Sequence, residues 1–382
     1  MTAPESRQLS TAFGKYRLNR YPLRKKELLQ AWDAADEYLL NHLAEEGIVT
    51  PGSKILVVND GFGAVTVSLA KMQPAMQTDS FIAQWSTEEN LRSNGIEPES
   101  ISLLPSTVDL GDQHYDLVLV RVPKTLALLE HQLSTIKRHL TENGKIIGYG
   151  MVKQISRSTL DLFSAIIGET RTSLAKKKAR LIFASPDITL ADKGSSYPIW
   201  YSLEGYGFQV CSHANVFSRE CLDIGTRLLL EHLPERHDFQ DIVDLGCGSG
   251  ALGLVAGSRN PQSRIFFIDE SYMAVASAEA TFKATGLGNE SVFIAGDGLE
   301  GFARQSVDLV LCNPPFHQQH VVGDFIAWGM FQQSHKALRR GGELRIVGNR
   351  HLNYHIKLKR IFGNAEVIAS DRKFVIIRAV KQ

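Results

Sequence analysis

The chain carries the same unit twice. Residues 55–70 read ILVVNDGFGAVTVSLA and residues 242–257 read IVDLGCGSGALGLVAG, each an apolar run, a tight glycine-bearing turn and a second apolar run. Asn59, Gly61 and Gly63 fall opposite Gly246, Gly248 and Gly250. Further on, YDLVLVRVPK at 115–124 lines up with VDLVLCNPPF at 307–316, and ENGKIIGYG at 142–150 with the GGELRIVGN stretch that follows Arg340. Three matched blocks in one order, at similar separations, predict an internal duplication. Short Val/Ile/Leu runs flanked by Gly and Asp, alternating with helical stretches, predict an α/β fold in each copy, with a parallel, buried sheet covered by helices on both faces. With 382 residues there is chain enough for two such domains. The join falls near Ser195, in the Gly-, Ser-, Pro- and Tyr-rich segment 185–207, which gives a first domain over 1–190 and a second over 191–382.

The copies part company where chemistry would need them to agree. Val57 stands opposite Asp244, Asn59 opposite Gly246, and Arg121-Val122-Pro123 opposite Asn313-Pro314-Pro315. The apolar framework persists and the polar groups do not. The first copy is therefore expected to have lost catalysis and cofactor binding, which leaves one reaction centre per chain.

In the second copy VDLGCGSG (243–250) ends a strand and opens a helix. Gly246, Gly248 and Gly250 let the backbone turn and approach a ligand closely, with Cys247 between them. Such a turn also suits dinucleotides. The acid just before it, Asp244, shifts the balance, because a carboxylate repels a pyrophosphate and attracts the sulfonium and ammonium of S-adenosylmethionine. The next strand ends at Asp269, 25 residues after Asp244, where a carboxylate can accept both ribose hydroxyls. A third strand is followed by Asp297, placed to meet the adenine amino group. Three acids at successive strand ends favour one shared ligand site. Phe217, in VFSRECLDIGTRLLL (216–230), is a candidate to cover the methionine end of the cofactor, with Asp223 and Gly225 shaping a helix entry. The alternative for this stretch is a plain amphipathic helix.

The sharpest motif is Asn313-Pro314-Pro315-Phe316, directly after the strand VDLVLC. Two prolines stiffen the chain and remove two backbone donors, so that nearby carbonyls can face a ligand. The Asn313 side-chain oxygen and the Pro314 carbonyl then form a pair of acceptors. An NH2 conjugated to a ring is a poor nucleophile, because its lone pair is delocalised. Two acceptors holding its hydrogens would orient it and favour pyramidalisation towards a methyl donor. Phe316 would stack on the base, and His317 and His320 would lie at the rim.

Charge is clustered although the net charge is only +1. Residues 15–26 hold six Lys/Arg, residues 171–180 hold five, and residues 345–360 hold five with His351 and His355, none of the runs containing an acid. These runs favour a polyanionic partner. The spacing of Cys211, Cys221, Cys247 and Cys312 fits neither a zinc site nor a disulfide framework, so no metal is expected. No stretch is long and apolar enough for a membrane helix, and the N-terminus lacks an apolar targeting core, which makes the cytoplasm the expected location and excludes a membrane partner.

Taken together, VFSRE…LDIG, DLGCGSG, Asp269, Asp297 and NPPFH resemble the class I RNA guanine-N2 methyltransferases that modify ribosomal RNA. The resemblance covers nearly the whole chain. It implies two tandem class I (Rossmann-like) methyltransferase domains, the N-terminal one degenerate and serving in RNA binding or folding. It implies S-adenosylmethionine held at Asp244, Gly246, Gly248, Asp269 and Asp297, and catalysis at Asn313 to Phe316. NDGFGA and the overall length are most similar to the large-subunit branch, which implies a guanine of 23S rRNA as the target. A guanine of 16S rRNA, the N6 of adenine and a protein glutamine amide stay open, since the motif senses an amide-like NH2 rather than one ring. A non-enzyme alternative is an RNA-binding assembly protein with a vestigial cofactor pocket. Internal duplication suits a monomer.

Overall fold

A computed structural model of the chain describes residues 7–23, 27–315 and 320–382. Phe316, His317 and the basic residues Arg24, Lys25 and Lys26 therefore lie outside the described residues. The chain forms two compact units, residues 1–196 and 197–382.

Each unit is built on a seven-stranded sheet of the same strand order. In the second the order across the sheet is Ser291–Ala295, Arg264–Asp269, Asp241–Leu245, Val307–Cys312, Leu338–Asn349, Phe374–Val380 and Glu366–Ser370. In the first it is Ser102–Pro105, Ala75–Thr78, Ile55–Val58, Tyr115–Arg121, Leu140–Met151, Ala179–Ala184 and Thr170–Thr172. The direction of winding reverses between Asp241–Leu245 and Val307–Cys312, the place where a doubly wound sheet opens a crevice at its carboxyl edge. These central strands are buried on both faces, which accounts for their unbroken apolar runs.

The sheets are not wholly parallel, as the sequence had suggested. Phe374–Val380 runs antiparallel to both of its neighbours. Only residues 371–373 separate it from Glu366–Ser370, too few for the crossover that a parallel pair requires. Asp371 closes that turn by accepting from the N–H groups of Lys373 (2.7 Å) and Phe374 (2.6 Å).

The duplication extends to a feature the sequence did not signal. Each unit begins with a β-hairpin, Gln8–Thr11 with Gly14–Arg17 and Ile199–Leu203 with Phe208–Ser212. Each hairpin is tied to the helix after the second parallel strand. In the first unit the Arg17 and Asn19 N–H groups donate to Asn94 and Asn90 Oδ1, both at 2.8 Å. In the second, the Cys211 and His213 N–H groups donate to Thr281 Oγ1 and Ser277 Oγ, both at 2.9 Å. No helix among the described residues is long and apolar enough to cross a membrane.

Candidate active site

The strand Asp241–Leu245 runs into Gly246, Gly248 and Gly250, with φ of 72°, 53° and 83°. All three adopt the left-handed conformation that glycine takes without a Cβ penalty. A Cβ on Gly250 would lie 3.0 Å from the Ala278 backbone, so the helix Ala251–Arg259 can start only where glycine permits that approach. The Gly246 and Cys247 N–H groups both donate to the Ile268 carbonyl, at 2.8 and 3.0 Å. The Gly248 N–H donates to Asp269 Oδ2 at 3.0 Å, and Ser271 N–H to Asp269 Oδ1 at 3.0 Å. Asp269 thus stands at the mouth of the glycine loop and fixes its shape. Asp297, half-buried two residues beyond the strand Ser291–Ala295, sits in a turn held by Gln333: Gln333 Nε2 donates to the Asp297 carbonyl at 3.2 Å and its Oε1 accepts from Leu299 N–H at 3.0 Å.

Asp244 lies near the end of the strand that precedes the glycine loop. It is buried beneath the loop, where its Oδ2 accepts from Gly253 N–H at 2.8 Å and its Oδ1 has no hydrogen-bond partner among the described residues. Burial pushes its carboxyl up to about 8, with the charge of Asp269 adding to the shift and the Gly253 bond opposing it. Burial also holds the Cys247 and Cys312 thiols well above their ordinary range, so both are neutral packing groups.

Asn313 follows the strand Val307–Cys312, level with the glycine loop on the neighbouring strand. Its Nδ2 donates to Thr226 Oγ1 at 2.9 Å and to Asp223 Oδ2 at 3.1 Å. Its Oδ1 is buried without a partner among the described residues. This orientation is not interchangeable with its flip. Asp223 can only accept, so the amide atom facing it must carry hydrogen. Pro314 is buried and Pro315 half-buried directly beyond.

Asp223 caps the helix Ile224–Glu231, its Oδ2 accepting from Thr226 N–H at 2.9 Å. Only residues 224–231 of the stretch 216–230 and its next residue are helical, and Phe217 lies in a turn before it with 64% of its surface exposed. The structure therefore brings Asp244, the glycine loop, Asp269 and Asn313 to the carboxyl edge of adjacent strands, with Asp297 beyond the next strand end along the same edge. No sequence pattern marks Thr226 or Gln333, which contact residues distant in sequence. Asp223 was seen only as a helix entry, since its partner lies 90 residues away.

The first unit shows the same places filled. Arg121, opposite Asn313, forms ion pairs with Asp33 and Asp36, the cap and third residue of the helix Ala34–Glu45. Asn59, opposite Gly246, donates to the Arg121 carbonyl at 3.0 Å and to Gln132 Oε1 at 2.8 Å. Asp60 takes the N–H groups of Ala64, Val65 and Thr66 at 3.0, 3.0 and 2.8 Å, closing the helix N-terminus.

The basic runs are only partly surface charge. Arg345 is buried, bonded to Glu343, while Lys359 and Arg360 are exposed on the acid-free helix Tyr354–Phe362. Lys177 is paired with Glu37 at 3.0 Å.

Known proteins resemble this chain along its whole length. The family model described as RLMG N-terminal domain matches residues 6–188, and that described as methyltransferase small domain matches residues 207–378. A Streptomyces avermitilis protein named ribosomal RNA large subunit methyltransferase G is 48% identical over 379 residues, covering 98% of this chain and 99% of that protein. A Pseudomonas syringae protein of the same name is 48% identical over 375 residues, with 98% and 99% covered. A solved T. thermophilus 16S rRNA N2 methyltransferase, in complex with AdoMet and guanosine, shares the fold at a TM-score of 0.76 and 19% identity, over 98% of this chain and 97% of that one.

Proposed function

Since the chain belongs to the family of ribosomal RNA large subunit methyltransferase G, we propose that it methylates the exocyclic N2 of one guanine in 23S rRNA, using S-adenosylmethionine. The observation that carries this reading is Asn313, whose NH2 is spent on Asp223 and Thr226 while its buried Oδ1 waits for a donor. Asn313 Oδ1 and the Pro314 carbonyl would take the two hydrogens of the guanine amine and turn its lone pair towards the methyl. Pro314 and Pro315 keep that edge stiff and free of competing donors. Phe316, outside the described residues, would stack on the base. No strong base is required, because the methylated amine sheds its proton to water.

The cofactor supplies an electrophilic methyl on a sulfonium. The second unit has the donor set to hold it: Gly246, Cys247, Gly248 and Gly250 as the loop, Asp269 for the ribose hydroxyls, Asp297 for the adenine amine, and Phe217 near the methionine end. Asp244, a buried carboxylate with an unmet oxygen, fits a cationic ligand above it. The filled first unit is assigned no cofactor and a role in holding RNA, with the basic runs supplying phosphate contacts. A duplex hides the target amine, so a looped or extruded guanine is the form that enters. The protein works as a cytoplasmic monomer in this reading.

Asp244 gives a pH signature. Its folded carboxyl keeps a proton from about 3.8 to about 8, where the unfolded one does not, so the ligand-free fold loses stability as pH rises through that window. A bound cation favours the carboxylate, and cofactor binding at neutral pH should therefore release close to one proton. Calorimetry in two buffers of different ionisation enthalpy reads this number. Asp244→Asn should release none, bind cofactor about tenfold or more weakly, and flatten the pH dependence of the ligand-free melting temperature.

The reading as a whole is tested by tritiated methyl transfer to separated 16S and 23S rRNA that lack the modification. Label in 23S as N2-methylguanosine is expected. Label in 16S would place the chain with the small-subunit branch, and label in a release factor or in adenine would replace guanine as the substrate.

A further inference from the structure

We propose that Asp223 and Thr226 are positioning residues for methyl transfer, acting through Asn313 by fixing which end of its amide faces the substrate and by strengthening that end as an acceptor. The inference rests on the reading of Asn313 as the residue that holds the target amine.

The three side chains form a closed triangle whose hydrogen bonds all run towards Asp223. Asn313 Nδ2 sends one hydrogen to Asp223 Oδ2 (3.1 Å) and the other to Thr226 Oγ1 (2.9 Å). The Thr226 hydroxyl in turn donates to Asp223 Oδ2 at 3.4 Å. Because the carboxylate accepts only, the hydroxyl must point its hydrogen at Asp223 and its lone pair at Asn313. Both hydrogens of the amide are therefore committed, and Oδ1 alone remains for a ligand. The carboxylate is itself held by the Thr226 N–H at 2.9 Å, and a Cβ at Gly225 would lie 3.0 Å from Asp223 Oδ2, so bulk at Gly225 would push the carboxylate aside.

A negative charge on the NH2 side of an amide draws its hydrogens and loads electron density onto the carbonyl oxygen, as in any chain of hydrogen bonds. That is where the reaction needs it. As the N–CH3 bond forms and the S–CH3 bond breaks, positive charge passes to the amine nitrogen, which then loses a proton to water. Its hydrogens become stronger donors at that moment, and an acceptor backed by Asp223 stabilises them more in the transition state than in the ground state.

The first unit offers an internal comparison. Its Arg121, at the position of Asn313, meets Asp33 and Asp36, at the positions of Asp223 and Thr226. The contact between helix cap and strand end was kept in both copies, whereas the free acceptor exists only in the second.

The test is a double-mutant cycle with a spectroscopic readout. Asp223→Ala should lower kcat by about 10²-fold and leave cofactor affinity within about twofold. In an Asn313→Ala background the same substitution should cost less than about twofold. Asp223→Asn, which preserves the helix cap, should lower kcat by about tenfold, and Thr226→Ser should restore what Thr226→Val loses. Independently of turnover, the Asn313 side-chain amide resonances of the ligand-free protein, assigned by their loss in Asn313→Ala, should move in Asp223→Asn. Equal losses in both backgrounds, or resonances that stay in place, would overturn the proposal. Because the resonances are read without substrate, they test the triangle even if the methylated group proves to be something other than guanine.

Discussion

Asn313→Ala should reduce kcat for guanine methylation by about 10³-fold while cofactor affinity stays within about threefold. In the proposed reaction the substitution removes an acceptor that would only orient the amine in the ground state but would stabilise growing positive charge in the transition state, so the loss should fall on kcat rather than on KM. It should also leave the fold intact. The strand Val307–Cys312 and the cap of the helix Ile224–Glu231 keep their backbone bonds, and Asp223 regains water in place of the amide. Single-turnover methylation and calorimetric titration of the cofactor separate the two effects. A loss below about tenfold would mean that the reacting amine is held elsewhere.

The second large effect is on stability and lies in the first unit. Arg121→Ala should destabilise that unit by roughly 3–5 kcal/mol, because it strands the buried carboxylate of Asp36 without its partner. Asp36 has only 2% of its surface exposed, and burial already raises its carboxyl to about 6 with Arg121 beside it as the largest opposing influence. Calorimetric melting should show a transition lowered by ~10 °C. An Arg121→Met, Asp36→Leu pair of similar volume should recover much of the loss, since it leaves no buried charge uncompensated and Asp33, which loses its partner, is open to water. A melt unchanged by Arg121→Ala would mean that water reaches this cluster.

Much of the fold was legible because it depends on local pattern. The repeated strand–turn–helix signature needs only apolar runs and glycines at fixed offsets, and Gly246, Gly248 and Gly250 adopt the dihedrals that make glycine necessary. NPP after a strand announces a rigid edge from its own covalent geometry. What escaped depends on tertiary neighbours. The motif marks Asp244 as an acid before the glycine turn but does not show that it is buried, with Gly253 N–H of the helix Ala251–Arg259 on one oxygen. Thr226 gains meaning only when a residue 87 positions away is brought against it. Arg345 counts as surface charge in a linear run, although its strand is flanked on both sides and Glu343 shares its burial.

The most direct test of the central claim is nucleoside analysis of unmodified 23S rRNA after incubation with S-adenosylmethionine and either the natural chain or its Asn313→Ala variant. One N2-methylguanosine per 23S molecule is expected with the natural chain and almost none with the variant. Equal N2-methylguanosine from both proteins, or a methylated nucleoside other than guanosine, would contradict the claim.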